Sequence, residues 1–111
     1  MAYDPELAER VRDCLAHLED VTERKMFGGL GFMVGGSMAV AAGSNGQLMV
    51  RVPREETAAA LEQPGTSEVV MRGRPMRGWV DVDTAALDET ALEGWVSRGV
   101  DAARRASPET T

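Results

Sequence analysis

The sequence predicts an α+β fold: a mainly antiparallel sheet of about five to six strands, with N- and C-terminal helices packed on one face and a short crossover helix between strands. Three patterns carry that expectation. Apolar residues recur at helical spacing near both ends of the chain. Between Glu23 and Val52, short apolar runs alternate with glycine-rich breaks. A later stretch, Met76–Asp83, alternates strictly between apolar and polar positions.

The first helix is expected from Pro5 to Leu18. Asp4 can cap its free N–H groups, and proline at the first helical position sacrifices no hydrogen bond. Leu7, Val11, Cys14, Leu15 and Leu18 form one stripe, and Glu6, Glu9, Arg10, Arg12 and Asp13 lie mainly elsewhere. Cys14 falls inside the stripe, where a structural thiol is the simpler reading than a nucleophile. His17, the single histidine, has no evident partners nearby for catalysis or metal binding.

Four strands follow as a meander. Arg24–Phe27 ends at Gly28-Gly29. Gly31–Val34 places Phe32 and Val34 on one face. Gly35-Gly36 suits a tight hairpin turn, because glycine reaches positive φ without strain. In Met38–Ala42, the residues Met38, Val40 and Ala42 should alternate against Ala39 and Ala41, and the small alanines suggest a close neighbour above them. Ser44-Asn45-Gly46 is a second turn. Gln47–Val52 should set Leu48, Val50 and Val52 against Met49 and Arg51. These glycines do not form a phosphate cradle. No Lys-Ser/Thr pair follows them, and strands rather than a helix come next.

Pro53 closes the meander and opens the crossover helix, with Thr57–Leu61 helix-compatible and Gln63-Pro64-Gly65 stopping it. Ser67–Met71 reads as a strand, Arg72-Gly73-Arg74-Pro75 as a break, and Met76–Asp83 as the last strand. There Val80 and Val82 oppose Trp79, Asp81 and Asp83. Asp81 and Asp83 make a carboxylate pair on paper, but nothing near them would raise one pKa to make an acid. Asp88 caps the closing helix, whose stripe is Leu92, Trp95, Val96, Val100 and Ala103, with Gly99 allowing close packing. One domain is expected over residues 1–106, with a disordered tail at 107–111.

Composition narrows the function classes. The 111 residues carry a formal charge of −6, with 43% hydrophobic and 27% charged residues. That balance fits an ordinary globular domain and argues against a general nucleic-acid binder. One cysteine permits no internal disulfide. No signal peptide or membrane-length apolar run is visible, so a cytoplasmic location is expected, with no membrane association. No cofactor loop, metal-ligand spacing or catalytic constellation emerges.

Three groups remain as candidate sites. Arg72, Arg74 and Arg77 place three charges in six residues, and Arg-Gly-Arg-Pro is the core of an AT-hook for the A·T minor groove. A charged hairpin turn is the simpler reading. Arg24, Lys25 and Arg51 could join on one sheet face to hold an anion or acidic peptide, if their strands lie close together. Met33 and Met49, with Trp79, could form an apolar interface on the face the helices leave open.

The order of local patterns resembles the N-terminal domain of the TfoX/Sxy family. Arg24-Lys25-Met26-Phe27-Gly28-Gly29 leads, followed by the glycine hairpin, the Met38 strand, Leu48–Arg51, Met76 with Trp79, and the closing helix with Leu92 and Trp95. The similarity covers about Leu7 to Ala103. It implies helices against an antiparallel sheet and a link to regulation of natural competence, where full-length members act as transcriptional coregulators. The chain is expected to be a stand-alone member without their second, DNA-binding-like domain. The resemblance implies no catalytic residues. Together these readings favour a non-catalytic interaction module acting through a protein partner or homodimer, with a nucleic-acid-associated regulator as the alternative and a small enzyme third.

Overall fold

A computed structural model describes residues 3–26 and 28–106 of the chain. Phe27 and the tail at 107–111 lie outside the described residues.

Helix α1 (Pro5–Leu15) starts where Asp4 accepts a hydrogen bond from the Glu6 N–H at 2.9 Å. It stops three residues short of the expected end. The chain turns there, with the Leu18 N–H donating to the Leu15 carbonyl at 3.0 Å, so Leu18 reaches the core from a turn instead of a helix. The strands are β1 (Val21–Met26), β2 (Gly29–Val34), β3 (Ser37–Ala42), β4 (Leu48–Arg51), β5 (Thr66–Met71) and β6 (Arg74–Val82). A 3₁₀ turn (Arg54–Glu56) and a short helix α2 (Thr57–Ala60) cross from β4 to β5. Helix α3 (Glu89–Arg105) closes the fold, capped by Asp88, which accepts from the Ala91 N–H at 2.8 Å.

All six strands pair antiparallel in the order β1-β2-β3-β4-β6-β5. The expected α+β architecture is therefore observed, with both long helices on one face. Strand β1 begins at Val21, three residues before its expected start. Its exposed middle, Thr22-Glu23-Arg24-Lys25, carries no apolar alternation because it forms a sheet edge, where charge discourages pairing with other chains.

The helix-covered face holds the main core. Phe32, Val40, Leu48, Val50, Val80 and Val82 meet Leu7, Val11 and Leu15 of α1 and Leu92, Trp95 and Val96 of α3. Each fully buried aliphatic or Phe side chain contributes about 1.5–3 kcal/mol against staying exposed.

The β2–β3 pairing departs from simple alternation. Phe32 pairs with Val40 but Met33 with Met38, so β3 carries one extra residue, Ala39. This bulge puts Ala39 and Val40 both on the helix side and turns Met38 to the opposite face, where it joins Met33 and Ala41. The expected grouping of Met38 with Val40 and Ala42 is thus corrected. Above the bulge lies Gly99. A Cβ there would stand 2.5 Å from the Ala39 carbonyl oxygen and 2.7 Å from a Val40 methyl.

Helix α3 supplies its own control. A Cβ on Gly94 meets nothing within 4 Å. Gly94→Ala should stabilise the protein by about 0.5–1 kcal/mol through helix propensity. Gly99→Ala gains the same propensity but drives a methyl into backbone, and should destabilise by about 1–3 kcal/mol. Urea unfolding of both variants checks the pair. Equal effects would show that α3 does not press on β3 at Gly99.

Candidate functional site

The face without helices carries a second, smaller apolar cluster. Met33, Met38 and Ala41 are buried in it, with Met26, Met49 and Trp79 packed against them. Met38 lies across Gly31, where a Cβ would stand 2.7 Å from its sulfur. Met33 is only 4% exposed. It fills the cluster and is not itself exposed for contact. Met49 and Trp79 remain half-buried.

Arg51 closes part of this face. Its guanidinium lies 4.8 Å from the Trp79 ring centroid, and its Nε donates to the Met38 carbonyl at 2.7 Å. Stacking on an aromatic and binding backbone suits arginine's planar fork. Arg51 therefore clamps β3, β4 and β6 and does not join Arg24 and Lys25. Two strands separate β4 from β1, a displacement of about 14 Å at normal spacing. Arg24 and Lys25 also point to opposite faces, since they pair with Gly31 and Leu30 respectively. The condition for grouping the three cations, strands lying close together, is not met.

Arg72 and Gly73 form a two-residue turn, both at positive φ (53° and 77°), between the pairs Met71–Arg74 and Val70–Pro75. That is the geometry of a type I′ hairpin. Arg72, Arg74 and Arg77 are all exposed, and no ion pair among the described residues holds them. Arg-Gly-Arg-Pro is folded into a hairpin and is not extended, as insertion along a minor groove requires.

The carboxylates of β6 separate. Asp83 lies past the strand and caps the Thr84–Ala86 turn, accepting from the Ala85 N–H at 3.0 Å. Asp81 stays on the open face, paired across the sheet with Met49 and Ser67. It sits in a cleft of about 170 Å³, lined by Met26 from β1, Met49 from β4, and Val69 and Val70 from β5. Strand edges β1 and β5 both reach this cleft, so the open face is concave. Among the described residues, the one polar contact of the Asp81 carboxylate is Asn45 Nδ2 at 3.4 Å. No cation among the described residues pairs with it. Burial pushes its pKa up from the usual 3.8, and the Asn45 hydrogen bond only partly opposes this. Alternation along β6 was the signal for Asp81. The roles of Asn45, Met26 and Val69 were not visible, because they meet Asp81 only through turn geometry and sheet curvature.

A larger groove of about 390 Å³ runs between α1 and α3 and brings Cys14 and His17 beside Asp13 and Glu93. No hydrogen bond links His17 to a carboxylate among the described residues. Cys14 is half-exposed, not buried as expected, and its pKa is raised by desolvation and then by Glu93, Glu89 and Asp13. The thiol is held protonated, the opposite of an activated nucleophile. No group of three potential metal ligands occurs among the described residues. No helix is long and apolar enough to cross a membrane.

Asp81 has a pH signature. A carboxyl group whose pKa is higher folded than unfolded binds its proton more tightly in the native state. Its contribution to stability then falls as pH rises from below 3.8 through the raised value. Asp81→Asn should accordingly raise Tm at neutral pH and leave it unchanged near pH ~3, where the aspartate is neutral in both states. An equal Tm at neutral pH would refute the desolvation of Asp81.

The hairpin arginines make a separate expectation. Titrated with A·T-rich and mixed duplexes, the protein should show only weak binding without A·T preference, lost at near-physiological salt. A saturable A·T preference abolished by Arg74→Ala would restore the minor-groove reading.

The family model described as TfoX N-terminal domain matches residues 13–103. No curated protein and no solved structure gives a match. The match covers the meander, the crossover, the β5–β6 hairpin and most of α3, the elements that build both faces of the sheet. The chain therefore belongs to the TfoX N-terminal domain family.

Proposed function

We propose that the protein is a non-catalytic regulatory module that works by holding a protein partner on its open sheet face, in transcriptional or competence-related control. Family membership supports the regulatory part. The concave cleft around Asp81 supports the partner: it is mainly apolar, its rim carries Val70 at 55% exposure, and its carboxylate lacks a counter-charge. Among the described residues no cation pairs with that carboxylate, and a bound partner of opposite charge would offset the cost of its desolvation.

The α1–α3 groove is less suited to chemistry. Desolvation and nearby carboxylates raise the pKa of its thiol, and no hydrogen bond among the described residues joins its carboxylates to His17. The arginine hairpin offers phosphate-binding charge but no shaped surface.

Val70 is exposed, so Val70→Lys should fold normally while placing a charge on the cleft rim. In a strain deleted for the gene, transcript levels should change. The wild-type chain and a Glu93→Ala control in the α1–α3 groove should restore them, and Val70→Lys should not. Full restoration by Val70→Lys would remove the open face from the function. Unchanged transcripts in the deletion strain would remove the regulatory role itself.

A further inference from the structure

Taking the open face as the partner surface, we infer that its cleft receives a lysine side chain of the partner, with the ammonium on Asp81 and the aliphatic stem between Met26, Met49 and Val69.

Size comes first. Pockets for drug-sized ligands run to about 300–1,000 Å³. The cleft offers about 170 Å³. A dry cavity of about 150 Å³ takes up benzene, so the space suits a group of five or six heavy atoms. A lysine side chain, four carbons and an ammonium, is of that size.

The lining matches the two ends of such a group. Met26 and Met49 have unbranched thioether chains that conform to an aliphatic stem, and Val69 is 5% exposed beside them. Asp81 provides the charge. Leaving a half-buried carboxylate with one long hydrogen bond costs stability, and no cation among the described residues offsets that cost. An arriving cation would recover it. The chain's charge of −6 favours approach of a basic partner.

Lysine fits better than the other cations. Arginine's branched guanidinium on a three-carbon stem needs more room than a cleft of about 170 Å³ gives. Methylated ammonium groups favour aromatic cages, and no aromatic residue among the described residues lines this cleft. An unmodified ammonium has three donors that can divide between Asp81 and the Ser44 hydroxyl at the rim.

The probe is n-butylammonium, the lysine stem alone, with 1-butanol as its neutral counterpart. Methionine-methyl-labelled protein is titrated with each and followed by NMR. Butylammonium should move the Met26 and Met49 methyl signals saturably and leave Met76 unmoved. Asp81→Asn, which keeps size and polarity, should weaken that binding by about tenfold or more, the loss expected for a charged hydrogen bond. Butanol binding as tightly as butylammonium, or unchanged affinity in Asp81→Asn, overturns the lysine assignment. So does an absence of saturable shifts. The partner reading is judged separately by Val70→Lys in cells: failure of that variant to restore transcripts, beside silence toward butylammonium, leaves a partner that uses other chemistry.

Discussion

Helix α3 lies so close to β3 that one glycine decides the contact. Gly99 brings the helix backbone onto Ala39 and Val40, with no room for a single methyl group. Two consecutive residues of a strand cannot normally face the same side. The bulge at Ala39 allows it, and turns Met38 to the other face in doing so. The methionine cluster of the open face is thus a consequence of how the helix face is packed. Gly31 completes the arrangement by giving Met38 a flat floor. A change at the α3–β3 contact therefore reaches the open face through the bulge, though no helix touches that face.

The two faces differ in how they treat charge. On the helix side, Arg10 pairs with Glu89, Arg12 with Glu23 and Glu9, and Arg104 with Asp20. These pairs join α1 to α3, α1 to β1, and α3 to the entry of β1. Each is exposed and contributes little alone, but together they fix the register of helices over the sheet. On the open side, Arg51 is committed to Trp79 and the Met38 carbonyl, and among the described residues Asp81 has only Asn45. Four carboxylates of the helix side, Glu9, Asp20, Glu23 and Glu89, thus have cations, whereas no cation among the described residues pairs with the more buried Asp81.

Features set by nearest neighbours in the chain were legible in the sequence. Asp4 and Asp88 cap helices, Gly35-Gly36 makes a hairpin, and Leu48, Val50 and Val52 line the core. Gly99 was legible as a point of close packing, because an unneeded glycine inside a helical stripe asks for a neighbour. Edge and register effects were not legible. The charged start of β1 carries no periodicity, and the bulge at Ala39 is invisible among four small or β-branched residues in a row. Asp81 and Asp83 made a pair only on paper, and alternation alone did not show that the strand ends between them. Arg51 looked available because its distance from Trp79 in sequence hides their pairing across β4 and β6.

The sheet order explains why Asp81, and not the arginine hairpin, is the better candidate. A turn at the end of β5 and β6 projects from the body and can present charge, but it has no walls. Asp81 lies where β6 is flanked by β4 and β5, beside the Ser44-Asn45-Gly46 turn, and opposite the methionine of the far edge strand. Curvature that brings Met26 of β1 and Val69 of β5 to one cleft turns a surface charge into a walled one. A charge with low-dielectric walls selects its partner more sharply than one in open water, because its attraction is less screened and its desolvation must be compensated. The three exposed arginines are screened by solvent on every side. Walls therefore favour Asp81 over the hairpin as the place for the proposed recognition, although cations outnumber it there.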